Sequence, residues 1–267
     1  INDMLKVVIL SASKYSSYTI AVAEGLLRNG VTIEAIVVKK LFNLERFLWE
    51  LKSDPRRLFN KIIHKLIFKR FHAKRQIKDA DQYDAIYAKV ADLEEISKLY
   101  KIPIFYCNDF HSHGSLAYMD SLKCDLVVFT GGGILRAEIL RRPKIGTINC
   151  HMGILPEYRG MDCFAWAILN NDYDNIGLTT HFIDYGIDTG DIIEVKRIDV
   201  RHMDNLPAVE RFLELLMPEM MVDAVVKINA KKCSTLVQET GHGSQFFVMH
   251  PILRNIAKKK HLESNDR

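Results

Sequence analysis

Apolar residues along this chain fall into short blocks of two alternating kinds. Residues 5–10 (LKVVIL) form an apolar run of buried-strand length, residues 18–28 place apolar side chains at helical spacing and stop at Asn29-Gly30, and residues 33–38 form a second buried run. Strand, helix, strand in that order predicts a parallel, doubly wound opening. The alternation continues with a helix over 92–100, a strand over 103–106, a helix near 115–122 and strands over 126–129 and 145–149. A helix over 161–169, strands over 178–183 and 192–200, and a long helix over 206–229 that tolerates Pro218 as a kink complete the main pattern. The tail adds a short strand at 235–237, an aromatic-rich strand at 245–249 and a basic, helix-like end. The predicted fold is α/β, a Rossmann-like, mostly parallel twisted sheet with helices on both faces and a small C-terminal α/β extension. The predicted organisation is a main domain over 1–200, carrying a basic helical insertion at about 42–80, followed by the extension over 201–267.

Composition narrows the class. The 267 residues, 48% hydrophobic and 26% charged, suit one large α/β domain with an appendage, and no apolar run reaches the ~18–20 residues that cross a bilayer. The start reads as the first strand, without a basic leader and long apolar core, so no secretion signal is expected. Five cysteines, an odd number, widely spaced and without a C-x-x-C pair, predict reduced thiols and a cytoplasmic location and give no zinc motif. The net charge of +4 hides an asymmetry, because 55–78 holds nine Lys/Arg and no Asp/Glu, which leaves the remainder net acidic. Within that stretch Leu58, Phe59, Ile62, Ile63, Leu66, Ile67 and Phe71 recur at helical spacing, with Arg57, Lys61, Lys65 and Lys69 on another face. The plainer reading is a packed helix with a solvated basic face; the alternative is an anionic partner. The stretch lacks the interleaved aromatic platform on which single strands stack, which argues against nucleic acid.

Candidate chemistry gathers at strand ends. The loop SASKYSS, 11–17, follows the first strand and offers Ser11, Ser13 and Lys14 as substrate-binding candidates beside a helix N-terminus, while the absence of G-x-G-x-x-G removes the NAD fingerprint. Asp109, His111 and His113 lie too close along one extended loop to converge readily on an ion, and no metal is expected. Thr130-Gly-Gly-Gly-Ile-Leu135 lets backbone approach a flat ligand. In Asn149-Cys150-His151, strand alternation sends Asn149 and His151 to one face and Cys150 to the core. An amide donor beside an imidazole suits an acyl-type transition state, whereas a histidine alone at a strand end is more often structural. The loop Asp184-Tyr-Gly-Ile-Asp-Thr-Gly-Asp191 follows the strand carrying His181; such loops also make turns or bind cations.

Taken together, TGGGIL (130–135), PKIGTINCH (143–151), LPEYRG (155–160) and THFIDYGIDTG (180–190) resemble the folate-dependent formyltransferases, among them the glycinamide ribonucleotide, methionyl-tRNA and sugar-nucleotide formyltransferases. The resemblance runs from the first strand to about residue 200 and is strongest over 125–193. It implies that Asn149, His151 and Asp188 are the catalytic residues, with the family's second histidine at His181. In that scheme a neutral amine attacks the formyl carbon of 10-formyltetrahydrofolate, Asn149 donates to the developing oxyanion, His151 moves a proton to the departing folate nitrogen, and Asp188 raises the basicity of His151 and collects the amine's proton. It further implies a folate pocket lined by Gly132, Gly133, Ile134, Leu135, Ile183, Asp184, Tyr185 and Gly186, and substrate contacts from Tyr158 and Arg159. The family usually has serine two residues after the catalytic histidine, where this chain has Gly153.

The expected acceptor is an amino-sugar nucleotide. The 67 residues after Val200 read as a helix and a short strand, unlike the C-terminal barrel of the methionyl-tRNA enzymes. Methionyl-tRNA, glycinamide ribonucleotide, a hydroxyornithine, or hydrolysis of the formyl donor stand as alternatives. The hydrolases resemble this core but carry an N-terminal regulatory domain, whereas here the first strand begins at once. Helix 206–229 is a candidate homodimer surface.

Overall fold

The structure, a computed structural model, describes residues 5–40, 90–239 and 241–265. The basic helix expected over 55–78 lies outside the described residues. Nine strands follow one another along the described chain: β1 (Val7–Ser11), β2 (Ile33–Lys39), β3 (Ile104–Cys107), β4 (Leu126–Phe129), β5 (Gly146–His151), β6 (Tyr158–Gly160), β7 (Gly177–Phe182), β8 (Ile192–Arg197) and β9 (Ser244–Phe246). Seven of them form the central sheet, in the order β3-β2-β1-β4-β5-β7-β8. β3, β2, β1, β4 and β5 run parallel; β7 is reversed, antiparallel to both β5 and β8. A second, two-stranded sheet pairs β6 in parallel with β9.

Period-two alternation explains why helices cover both faces. In β1, Val7 and Ile9 enter one apolar cluster and Val8 and Leu10 the other, so the strand is buried on both sides. The helices in chain order are α1 (Ser17–Arg28), α2 (Leu93–Tyr100), α3 (His113–Leu122), the single turn α4 (Ala137–Leu140), α5 (Cys163–Leu169), α6 (Leu206–Asn229) and α7 (Pro251–Asn265). α1, α2 and α6 supply the first cluster, while α3 and α4 bring Met119 and Ile139 into the second. Local signals start the helices: Ser16 Oγ accepts from Thr19 N, Asp92 accepts from Glu94 and Glu95 N, and Asn205 accepts from Ala208 N. α6 continues through Pro218. A Cβ on Gly25 of α1 would stand 2.6 Å from Val222 of α6, so the glycine admits that close crossing.

After α5 and a 3-10 turn, the chain passes through β7, β8, α6 and β9 to α7, which packs on α5. Lys260 Nζ donates to the Leu169 carbonyl, and Arg254 pairs with Asp162 and Glu210. His261, wholly buried, donates from Nε2 to the Met203 carbonyl. The strand expected at 235–237 reduces to one antiparallel bridge between Leu236 and Ile192. No helix among the described residues is long and apolar enough to cross a membrane.

Candidate active site

The sequence GTINCH builds the first wall. In β5, Ile148 and Cys150 enter the first core cluster, which leaves Asn149 and His151 on the opposite face. β7 lies antiparallel, with Asn149 opposite His181. The loop between β7 and β8 then carries Asp188 back to both histidines, with Oδ2 3.6 Å from His151 Nδ1 and Oδ1 3.5 Å from His181 Nε2. Asn149 Nδ2 lies 3.4 Å from the same His181 nitrogen. The structure thus gathers Asn149, His151, His181 and Asp188 into one cluster, with both histidines buried.

Backbone groups fix the protonation pattern. His151 Nε2 lies 2.9 Å from the Tyr158 carbonyl, which can only accept, so Nε2 carries the hydrogen and a neutral ring turns its Nδ1 lone pair toward Asp188. His181 Nδ1 lies 2.7 Å from the Phe182 carbonyl, which by the same reasoning leaves Nε2 to face Asp188 and Asn149. Burial alone would raise the Asp188 carboxyl, but His181 and His151, which in their protonated forms donate to it or attract it, and the N–H of Gly160 hold it at about 2. For His151 burial dominates and lowers its pKa below 6.5. The Asp188 carboxylate does push the basicity of His151 upward, but it recovers only part of what desolvation of the ring removes.

Asp188 sits at φ +53°, a left-handed conformation that aspartate tolerates better than most residues. Three bonds hold it there: Gly160 N donates to Oδ2 at 2.9 Å, and Gln238 Nε2 donates to the Asp188 and Gly190 carbonyls. Neither Gln238 nor the N–H of Gly160 carries a recognisable signal in the sequence. Asp184 Oδ1 accepts from Gly186 N and Thr189 Oγ1 and closes the front of the loop. Gly153 is enforced by its neighbours, since a Cβ there would stand 2.6 Å from His151 Nε2 and 2.8 Å from both Cys163 Cβ and the Tyr158 carbonyl oxygen.

The glycine run reads differently in the structure. Gly131, Gly132 and Gly133 have φ of +108°, +122° and +115°, and a Cβ on Gly132 would stand 2.6 Å from the Phe110 ring. Backbone conformation and Phe110 packing therefore require these glycines. Of the expected folate-lining residues, Leu135 is buried and Ile183 packs against the same second cluster, whereas Ile134 and Tyr185 stand 72% and 71% exposed. Tyr185 Oη accepts from Arg141 Nε at 3.2 Å, tying that loop to the end of α4.

Among the expected substrate residues, Ser11 is fully buried, shares a hydrogen bond with Thr19 and bonds the Ser13 carbonyl, so it is occupied within the protein. Lys14 pairs with Glu94 and Asp92 and is held charged above its ordinary range by the Glu94 hydrogen bond. Tyr158 is buried, its hydroxyl donating to Asp172, and contributes its carbonyl to the site. Arg159 is half-buried, its Nε without a hydrogen-bond partner among the described residues. Ser13 Oγ accepts from Tyr15 N and remains half-exposed. Asp109 and His111 bond each other, and His111 Nε2 accepts from Arg136 N, which braces the loop after β3 against the glycine run. No group of three or more His, Cys, Asp or Glu able to hold a metal occurs among the described residues. All five cysteines are free, and burial pushes the Cys163 thiol to about 12 and Cys124 to about 11.

Comparison with known proteins places the chain in a family. Methionyl-tRNA formyltransferase of Methylacidiphilum infernorum is 33% identical over 142 residues, 53% of this chain and 44% of that protein. The enzyme of Azobacteroides pseudotrichonymphae is 29% identical over 168 residues, 62% of this chain and 52% of its own. The chain thus spans about half the length, or less, of these curated relatives. Among solved structures, a sugar N-formyltransferase from Shewanella sp. superposes with a TM-score of 0.59 at 15% identity, covering 97% of this chain and 89% of its own. Glycinamide ribonucleotide transformylase 1 from Symbiobacterium toebii gives 0.58 at 15% identity, covering 88% and 95%. These structural likenesses bear on the fold. The family model described as formyl transferase matches residues 85–225, more than half of the chain and all of the cluster around Asp188, and the protein therefore belongs to the formyl transferase family.

Proposed function

We propose that the protein transfers a formyl group from 10-formyltetrahydrofolate to a primary amine, with the amino group of a nucleotide-linked sugar as the favoured acceptor. The observation that carries this reading is the approach of His151 and His181 to one ionised carboxylate, at 3.6 and 3.5 Å, with the Asn149 amide 3.4 Å from His181. The donor would supply a formyl carbon already activated for acyl transfer. Its expected residues fit a flat, partly polar molecule: Ile134 and Tyr185 present exposed apolar surface on two loops, whose inner residues Leu135 and Ile183 share one cluster. Asn149 would donate to negative charge developing on the formyl oxygen. The Nδ1 lone pair of His151 and the Asp188 carboxylate, both acceptors, would receive the proton that an attacking amine must lose, and His151 would return a proton to the folate nitrogen as its bond to the formyl carbon breaks, leaving the formamide and tetrahydrofolate. Ser13 and Arg159 remain the best-placed polar side chains for the acceptor, in an enzyme working in the cytoplasm.

The sugar-nucleotide reading is supported by the extent of the structural match, which includes the C-terminal segment, and by the amino-sugar nucleotide named in a related complex from Helicobacter canadensis, dTDP-3-aminofucose. A second reading, formylation of methionyl-tRNA, is favoured by the sequence relatives. Incubation with 10-formyltetrahydrofolate and, separately, aminated sugar nucleotides, glycinamide ribonucleotide, hydroxyornithine and charged initiator tRNA, followed by mass measurement, decides between them. A mass gain confined to the tRNA sinks the sugar reading. Donor consumption that no amine accelerates identifies a hydrolase.

A further inference from the structure

The C-terminal segment reaches the catalytic cluster through β6. Backbone groups of successive strand residues point to opposite edges, so a three-residue strand has two working sides. On one side of β6 the Tyr158 carbonyl accepts from His151 Nε2 and the Gly160 N–H donates to Asp188 Oδ2. On the other side β6 is paired with β9: Ser244 N donates to the Glu157 carbonyl and Met161 N donates to the Phe246 carbonyl. The pairing is close, and a Cβ on Gly160 would overlap the Phe246 carbonyl. Phe246 clamps the pair from its side chain, stacked on Tyr158 with ring centres 5.0 Å apart and tilted against Trp166 at 5.3 Å. Trp166 Nε1 donates to the Phe247 carbonyl at 2.9 Å, and Met249 N donates to Asp162 Oδ2, which fixes β9 to α5. From the same segment Gln238 holds the Asp188 and Gly190 carbonyls.

We propose that β9, anchored by Phe246, is a positioning element of the active site: through β6 it sets the His151 tautomer, hydrogen on Nε2 and lone pair on Nδ1, and aims the Asp188 carboxylate. His151 meets two polar acceptors, the Tyr158 carbonyl 2.9 Å from Nε2 and the Asp188 carboxylate 3.6 Å from Nδ1, and the single hydrogen of the neutral ring goes to the shorter, hydrogen-bonded contact. Release of β6 removes that contact. The ring is then free to place its hydrogen on Nδ1 toward the carboxylate, which withdraws the lone pair from the reacting side. The role as positioning element rests on the proposed formyl transfer; the tautomer itself does not.

The test reads the tautomer without substrate. Long-range ¹H–¹⁵N spectra of the ¹⁵N-histidine-labelled full chain at pH 8, with His151 assigned by its disappearance in His151→Gln, are compared for wild type, Phe246→Ala and Phe246→Tyr. The expected result is a single Nε2–H form in wild type and Phe246→Tyr, and averaged ring-nitrogen shifts in Phe246→Ala. An unchanged Nε2–H form in folded Phe246→Ala overturns the proposal. If Phe246→Ala does not fold, Phe246→Leu, which keeps apolar bulk but loses ring stacking, is judged by the same criterion. With an accepted amine in hand, Phe246→Ala lowers kcat and leaves KM for the donor within about twofold. Absence of formyl transfer in wild type itself refutes the functional reading and leaves the tautomer result standing.

Discussion

Gly153→Ala puts the packing behind His151 to a direct test. The added Cβ meets three fixed neighbours: His151 Nε2 at 2.6 Å, Cys163 Cβ at 2.8 Å and the Tyr158 carbonyl oxygen at 2.8 Å. None is the free end of a flexible side chain. Cys163 begins α5, Tyr158 belongs to β6, and His151 is 7% exposed, so relief requires the backbone of β6 or the imidazole to move. Overpacking of this kind costs about 1–3 kcal/mol. Separation of His151 from the Tyr158 carbonyl adds about 1 kcal/mol for a lost buried hydrogen bond. For a domain of this size each kcal/mol is worth about 2–4 °C, so melting should fall by about 4–16 °C. Differential scanning calorimetry measures the shift, and the formyl-transfer rate should fall with it at temperatures where the variant remains folded. A variant that melts within about 1 °C of wild type would show that the loop relaxes freely and that Gly153 is not sterically required. The comparison is pointed because the resembled family usually carries serine here, and a serine Cβ meets the same three atoms.

Three further outcomes follow from the same cluster. Asn149→Ala removes the side-chain amide that faces His181 and should lower kcat by about 10²–10³ with the melting temperature little changed; a loss below about tenfold would remove Asn149 from oxyanion stabilisation. Asp188→Asn should reduce the rate by about 10²–10⁴ and also lower the His151 pKa further, because the carboxylate is what raises it, a shift that histidine NMR titration reads directly. Stability should respond to pH in two stages. His151 has a folded pKa below 6.5, so its contribution is full above pH 6.5 and erodes as pH falls below it. Asp188, at about 2 against 3.8 unfolded, contributes fully above pH 3.8 and loses that contribution as pH falls through 2. Urea midpoints measured from pH 8 to pH 2 would contradict the assignment if stability rose on acidification through pH 6.5.

Long elements with strong periodicity are legible in the sequence. Residues 7–10 are apolar enough to be buried on both faces, and 18–28 match one amphipathic helix, so the β1-α1-β2 opening can be read from the chain directly. The alternation in β5 is sufficient to separate Asn149 and His151 from Cys150. Short elements carry no such information. β6 has three residues and α4 four, too few to display a period, and β6 exists as a strand because β9 pairs with it from far along the chain. Tyr158 and Arg159 accordingly resemble polar loop residues for a substrate, although Tyr158 faces inward and serves the site through its carbonyl. Ser11 misleads for a related reason: a serine at a strand end reads as exposed, but Thr19 and Thr130 supply buried hydroxyl partners that only the fold brings near.

The two histidines are held by one device used twice. Each ties one ring nitrogen to a backbone carbonyl, Tyr158 for His151 and Phe182 for His181, and each thereby turns its other nitrogen toward Asp188. With His151 neutral, its Nδ1 lone pair and the Asp188 carboxylate converge on one small volume, opposed among the described residues by the Gly160 N–H. Such an excess of acceptors in a buried setting is costly until a proton arrives. During formyl transfer the amine gives up one proton as the new C–N bond forms, and the departing folate nitrogen takes one up as the old bond breaks, so a proton passes through the cluster between the two events. On the proposed reading, the cluster is therefore most satisfied when the amine has begun to react, and the electrostatic gain is largest at the transition state rather than in the resting enzyme.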